Sequence, residues 1–157
     1  MAEYSFPHVG FDGRGLLEET GPLVAVEITV PLKLKRFLES QGLAPYSARS
    51  GFALIDTGAG GSAIDDTVFA EMEIPSVDFE FTRTPHGLAP SLVYNASASF
   101  PSLGLFEISL DRVLGCNIRN LTDAGQDIIM LLGRDILRDL VMVYDGPRSS
   151  VTIHRSS

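Results

Sequence analysis

The stretch Ala53-Leu54-Ile55-Asp56-Thr57-Gly58-Ala59-Gly60-Gly61-Ser62 decides the reading of this chain. An apolar run ends on a carboxylate, and the carboxylate opens a glycine-rich turn. Phe52, Leu54 and Ile55 supply a stiff apolar strand. Gly58 and the Gly60-Gly61 pair let the backbone turn sharply and approach other groups closely. Thr57 adds a hydroxyl that both donates and accepts. A carboxylate mounted rigidly, partly out of water and ringed by backbone N–H groups, is a tunable acid or base. Asp before Gly is also ordinary turn chemistry, so the triplet alone leaves both readings open.

Outward from this stretch the chain reads as a series of strands. Upstream, Val24, Val26, Ile28 and Val30 alternate with Ala25, Glu27 and Thr29, the pattern of a half-buried strand that Pro31 ends. Residues 33–42 suit a short helix stopped near Gly42. Downstream, Asp65 or Asp66 can cap a short helix. Val77, Phe79 and Phe81 alternate on one face of a further strand, where they read as core. A turn over Pro85–Gly87 returns the chain through residues 91–100 as a hairpin. Phe106, Ile108 and Leu110 alternate again. Asp127–Gly133 holds a continuous apolar run, expected of a strand buried on both faces. A short helix follows at 134–140, and residues 141–155 close as a hairpin turning at Asp145-Gly146-Pro147. Many short strands with frequent turns predict a mostly β domain, sandwich or barrel.

Length and composition narrow the function classes. The chain has 157 residues, 45% of them hydrophobic, which suits one domain with a sizeable core. Residues 1–21 read as an N-terminal arm and 22–157 as the domain. A formal charge of −8 argues against nucleic acid and anionic membrane surfaces, which both call for Lys and Arg. No apolar run approaches the length of a membrane segment, and no signal peptide is evident. Cys116 is the single cysteine, so an internal disulfide is excluded and a reducing, cytoplasmic setting is expected. His8, His86 and His154 are scattered without metal-ligand spacing, so neither a metal nor another cofactor is expected. Gly58–Gly61 lacks the Lys-Ser/Thr of a phosphate loop, and Ser62 lacks the second glycine of a nucleophile elbow.

Two motifs taken together resemble the retropepsin-like, retroviral-type aspartic proteases. One is the apolar strand running into Asp56-Thr57-Gly58-Ala59, with Ser62 three residues after the alanine. The other is Leu131-Leu132-Gly133-Arg134-Asp135-Ile136-Leu137 late in the chain. A flap hairpin is expected between them, and residues 82–94 match it in position and turn content. The resemblance covers roughly residues 23–155. It implies a closed β-barrel with one or two short helices and a flap. Because only one Asp-Thr-Gly is present, it also implies a homodimer whose two Asp56 carboxylates meet on the two-fold axis.

The resemblance assigns roles residue by residue. Asp56 is the catalytic residue; Thr57, Gly58, Ala59, Ser62, Gly133, Arg134 and Asp135 support the site. Thr57 would bond across the dimer, and Gly58 would bring its N–H to the carboxylate. Thr84, Pro85, His86 and Gly87 form the flap that closes over a peptide or protein substrate. Two carboxylates about 3 Å apart share one proton, activate a water and hydrolyse the peptide bond with no metal and no covalent intermediate. The retroviral pattern often places an acid directly after Asp-Thr-Gly-Ala, paired with the arginine of the late motif. Here that position is Gly60, which leaves Asp65, Asp66 or Asp135 as partners for Arg134. The competing reading is a retropepsin-like module that dimerises or binds peptide without cutting. The 139–155 hairpin is the expected dimer contact, since an unpaired edge strand must be covered.

Overall fold

A computed structural model describes residues 3–7, 17–44, 46–121 and 126–155. Strands carry most of the architecture: β1 Glu3–Pro7, β2 Leu23–Thr29, β3 Arg49–Ile55, β4 Ala63–Asp65, β5 Asp78–Thr84, β6 Gly87–Phe100, β7 Leu105–Cys116, β8 Ile128–Leu132, β9 Leu140–Asp145 and β10 Ser150–Arg155. Short helices lie between them: α1 Leu32–Ser40, α2 Asp66–Glu71 and α3 Arg134–Leu137.

Seven strands form one sheet in the order β2-β3-β8-β4-β7-β6-β5. β2 also pairs with β6, through Glu27–Ser99, Ile28–Ala98 and Thr29–Ser97. That pairing closes β2, β3, β8, β4, β7 and β6 into a six-stranded barrel and leaves β5 outside the ring. Closure removes the edges of the six ring strands and leaves β5 as the edge strand of the sheet. β8 lies between parallel β3 and antiparallel β4, and Ile128, Ile129, Met130 and Leu132 are buried there. The continuous apolar run of the sequence is thus a ring strand buried over most of its length.

The barrel interior is filled by Val24, Val26, Ile28, Ala53, Ile55, Ile64, Ala96, Ala98, Phe100 and Met130. Each large aliphatic or aromatic side chain removed from water there contributes about 1.5–3 kcal/mol. Phe69 of α2 stacks on Tyr94 of β6, with ring centroids 3.7 Å apart and planes 6° from parallel. α2 starts where Asp65 accepts the N–H of Thr67, so of the two capping aspartates it is Asp65 that acts. α1 ends through Gly42 at φ 71°, with Leu43 N–H bonding back to Leu38 O.

β6 is the long strand of the fold. Its second half pairs with β7 inside the ring, and its first half pairs with β5 as a projecting hairpin. The even-numbered residues Tyr94, Ala96, Ala98 and Phe100 fill the core. The same face continues outward through Leu92, Pro90 and Leu88, opposite Phe79, Phe81 and Arg83 of β5. Phe79 and Phe81 are therefore not core: they are 59% and 63% exposed and meet edge to face. The alternation is real, but the strand that carries it lies beyond the ring.

β7 also departs from simple alternation. Its register against β6 shifts twice, next to Glu107 at φ 53° and Arg112 at φ 62°. Each shift inserts one residue into β7, as in a β-bulge. Leu105 and Leu110 face inward, while Phe106, expected beside Ile108 and Leu110, is exposed.

A second sheet, β1-β10-β9, brings the two ends of the chain together. Glu3–Pro7, within the expected arm, pairs with Ser150–His154. His8 lies outside the described residues. β9 and β1 are the two edge strands of this sheet, and Val141 and Val143 of β9 are exposed. Among the described residues no helix is long and apolar enough to cross a membrane.

Candidate active site

Asp56 is the first residue beyond β3, and neighbouring β8 fixes its position. Its N–H donates to Leu132 O at 3.0 Å, which extends the parallel β3–β8 ladder by one step. The chain then turns: Ala59 N–H donates to Asp56 O at 3.2 Å, and Gly58 N–H donates to Asp56 Oδ1 at 2.9 Å. A hydrogen bond to a carboxylate holds it in one rotamer and stabilises its charge. Asp56 is half-buried, whereas Thr57, Gly58 and Gly60 are exposed. The carboxylate thus stands on a rigid mount that opens to the surface.

The late motif crosses behind this loop. Gly133 is buried, and a Cβ there would lie 2.6 Å from both the carbonyl carbon and oxygen of Gly61. Only a glycine allows the two segments to touch. Gly133 N–H donates to Ser62 Oγ at 3.0 Å, and Ser62 Oγ–H donates to Asp135 Oδ1 at 2.7 Å. Ser62 N–H donates to Asp135 Oδ2 at 3.0 Å. Ser62 is 2% exposed, so these bonds are made out of water, where an unmade one is costly. Arg134 N–H donates to Ala59 O at 2.9 Å, and its Nη1 donates to Thr57 O at 2.7 Å.

The structure thus brings together Asp56, Thr57, Gly58, Ala59, Ser62, Gly133, Arg134 and Asp135, all named from the sequence. Sequence reasoning gave Leu132 O no role, because it acts through backbone alone; the close approach expected of the Gly60-Gly61 pair is made by Gly61 against Gly133. None of the three aspartates expected to pair with Arg134 does so. Asp135 is committed to Ser62. Asp65 accepts from Thr67 and from Ile118 N–H and stands 3.7 Å from Arg119. Asp66 Oδ1 lies only 2.3 Å from the place a Cβ on Gly115 would occupy. Arg134 is therefore not an ion-pair member among the described residues, contrary to expectation; it grips a backbone carbonyl instead.

The acids around the site divide by environment. Burial raises the Asp65 carboxyl, but the hydrogen bonds from Thr67 and Ile118 and the Arg119 charge outweigh it and hold it below 3.8. Burial, and then the Asp65 charge, push Asp66 above 3.8. Burial, with Asp66 and Asp65 nearby, pushes the Cys116 thiol up to about 12, which leaves it protonated and inert.

Thr84, Pro85, His86 and Gly87 form the tip of the β5–β6 hairpin. Thr84 Oγ1 donates to Gly87 O at 2.8 Å and accepts His86 N–H at 3.2 Å; Gly87 takes φ 117°. At its base, Arg112 of the β7 bulge meets Asp78 at 2.9 Å and Glu80 at 3.4 Å. The tip is exposed and the base is tethered. A cleft of about 440 Å³ opens between β7 and α3, lined by Ile108, Leu110, Ile136 and Leu140 among others. Its lining includes Asp135 but not Asp56, Thr57 or Gly58. Among the described residues no cluster of three or more His, Cys, Asp or Glu could hold a metal ion.

No protein-family model matches this chain, and no curated protein matches it. Solved structures do. The EIAV protease complexed with the inhibitor HBY-793 is 19% identical with a TM-score of 0.43, covering 75% of this chain and 86% of that one. A retropepsin-like aspartic protease from Rickettsia conorii is 13% identical with a TM-score of 0.43, covering 84% of this chain and 88% of that one.

Proposed function

We propose that this chain is an aspartic endopeptidase whose active unit is a homodimer, with the two Asp56 carboxylates facing each other across the two-fold axis. The observation that carries the reading is Asp56 itself: its backbone N–H is anchored on Leu132 O, its carboxylate accepts Gly58 N–H, and it sits half-buried on a loop whose outer residues are open. The Gly58 bond is ordinary turn chemistry; the anchor on β8 and the close crossing of Gly133 behind the loop go beyond it. An isologous contact brings the same residue to itself, so a single motif supplies both carboxylates.

In that dimer one Asp56 is ionised and the other keeps a proton, because like charges that close cannot both ionise easily. The ionised carboxylate takes a proton from a water, and the water oxygen bonds to the peptide carbonyl carbon. The protonated carboxylate donates to the carbonyl oxygen. Collapse of the tetrahedral adduct breaks the C–N bond, with a proton passing to the leaving nitrogen. Rigid mounting matters because small displacements of a catalytic group cost rate steeply. The exposed hairpin face of Phe79, Phe81, Leu88 and Leu92 suits peptides with apolar side chains around the scissile bond and excludes water when it closes. β9, an edge strand with Val141 and Val143 exposed, offers the second copy a strand to cover.

Cleavage of a peptide library at pH 4–7 by the wild type beside Asp56→Asn tests the reading. Asp56-dependent turnover supports it; peptide binding with no turnover assigns the chain to the non-catalytic alternative.

A further inference from the structure

We propose that Arg134 is a carboxylate-recognition residue, whose guanidinium binds an acidic side chain of the peptide close to the scissile bond. The proposal rests on the protease reading above. Arg134 is exposed and is held to the Asp56 loop at two points, through Ala59 O and Thr57 O. Its charge is therefore fixed in place and not free to sweep the surface.

That charge has no acid of its own. Arg49, Arg112, Arg119, Arg138 and Arg148 each meet a carboxylate within 4.0 Å; among the described residues Arg134 meets none, and neither do Arg36 and Arg83, but of these three only Arg134 is bonded to the Asp56 loop. Its neighbour Asp135 spends both oxygens on Ser62. The Nη2 side of the guanidinium lies 3.6 Å from where a Cβ on Gly60 would stand, and Gly60 is exposed. Among the described residues the guanidinium donates only through Nη1, to Thr57 O, which leaves its Nη2 beside the exposed Gly60 without a hydrogen-bond acceptor. A planar guanidinium with a free edge binds a carboxylate through two parallel hydrogen bonds, which fixes geometry as well as charge. The chain carries a net charge of −8, so its overall field repels acidic peptides. A single placed cation therefore acts as a register mark, not as a general attractor. Thr57 is the residue after Asp56, and an extended peptide advances about 3.3 Å per residue. The acidic side chain is thus expected within about three residues of the cleaved bond.

The test uses synthetic decapeptides with Leu-Phe at the centre and Glu or Gln at each of three positions on either side. The readout is the Glu-to-Gln ratio of kcat/KM at each position. Gly60→Asp is the informative variant: Gly60 lacks a left-handed backbone, a Cβ there meets no atom closer than 3.6 Å, and the new carboxylate reaches Arg134. In the wild type one position should favour Glu by about 3- to 10-fold, and the preference should shrink in 1 M salt. Gly60→Asp and Arg134→Gln should each bring that ratio to about one or below. Equal ratios at every position in the wild type, or a Glu preference that survives either substitution unchanged, would overturn the proposal. Calorimetry of the same peptides with Asp56→Asn separates the two readings. Glu-selective binding without wild-type cleavage removes the protease and keeps the subsite. Cleavage without Glu selectivity in either assay removes the subsite and keeps the protease.

Discussion

Ser62 and Asp135, 73 residues apart in sequence, are joined by two hydrogen bonds of 3.0 and 2.7 Å. The same Ser62 oxygen accepts Gly133 N–H, so one hydroxyl ties the Asp56 turn to the strand–helix junction behind it. Ser62→Ala removes the acceptor and leaves that N–H unpaired in a buried place. The expected cost is about 1–3 kcal/mol, read as a fall in urea midpoint without a change in slope. An unchanged midpoint would mean that the bracing of the loop lies elsewhere.

Gly133→Ala should be worse. The added methyl would stand 2.6 Å from the Gly61 backbone, which cannot yield as a flexible side chain can. A loss of about 3 kcal/mol is expected, with the Asp56 loop displaced. Gly61→Ala is its control, since a Cβ there meets nothing within 4 Å; thermal unfolding should separate the two clearly.

Asp65 and Asp66 are neighbours with opposite linkage. The folded carboxyl of Asp65 is more acidic than its unfolded value of 3.8, so its stabilisation is present above that value and is lost as the pH falls through the folded value. Asp66 is raised, so its contribution is present below 3.8 and is lost as the pH rises through its folded value. Asp65→Asn should therefore destabilise the chain at pH 6, and the difference from wild type should shrink as the pH falls below 3.8. Asp66→Asn should show the reverse sign at pH 6. Parallel acid titrations of unfolding free energy for both variants decide the matter.

Phe81→Ser on the β5–β6 hairpin removes an exposed aromatic. Stability should change by no more than about 0.5 kcal/mol, because the ring covers no core. The KM for apolar-centred peptides should rise several-fold, about 3- to 10-fold, while kcat falls less. A large stability loss with unchanged KM would return Phe81 to a packing role.

The physical reasons for what the sequence disclosed are specific. Val24, Val26 and Ile28 were legible because one buried face forces a period of two, and Ile128–Leu132 because burial on both faces removes the period. Asp56, Ser62, Gly133 and Asp135 came from the family resemblance that the two motifs carry, and they do converge. Phe106 was misplaced because Glu107 and Arg112 take left-handed turns that neither residue type advertises. Phe79 and Phe81 were misplaced because alternation reports a two-faced strand, not whether anything covers the apolar face. The partner of Arg134 was invisible because a backbone carbonyl has no sequence signature. The pairing of Glu3–Pro7 with β10 joins the two ends of the chain, which no local pattern links.

The most direct measurement of the two-copy, two-carboxylate site is a mixing experiment. Wild type and Asp56→Asn are combined at equal amounts, allowed to exchange subunits, and assayed on apolar-centred peptides at pH 4–7. Asp56→Asn alone should lose about 10³-fold or more of the activity. A shared site predicts that the mixture falls to about one quarter of the activity of an all-wild-type sample at the same total concentration, since only pairs with two Asp56 carboxylates cleave. Activity of one half, or full cleavage by Asp56→Asn itself, would contradict the shared site.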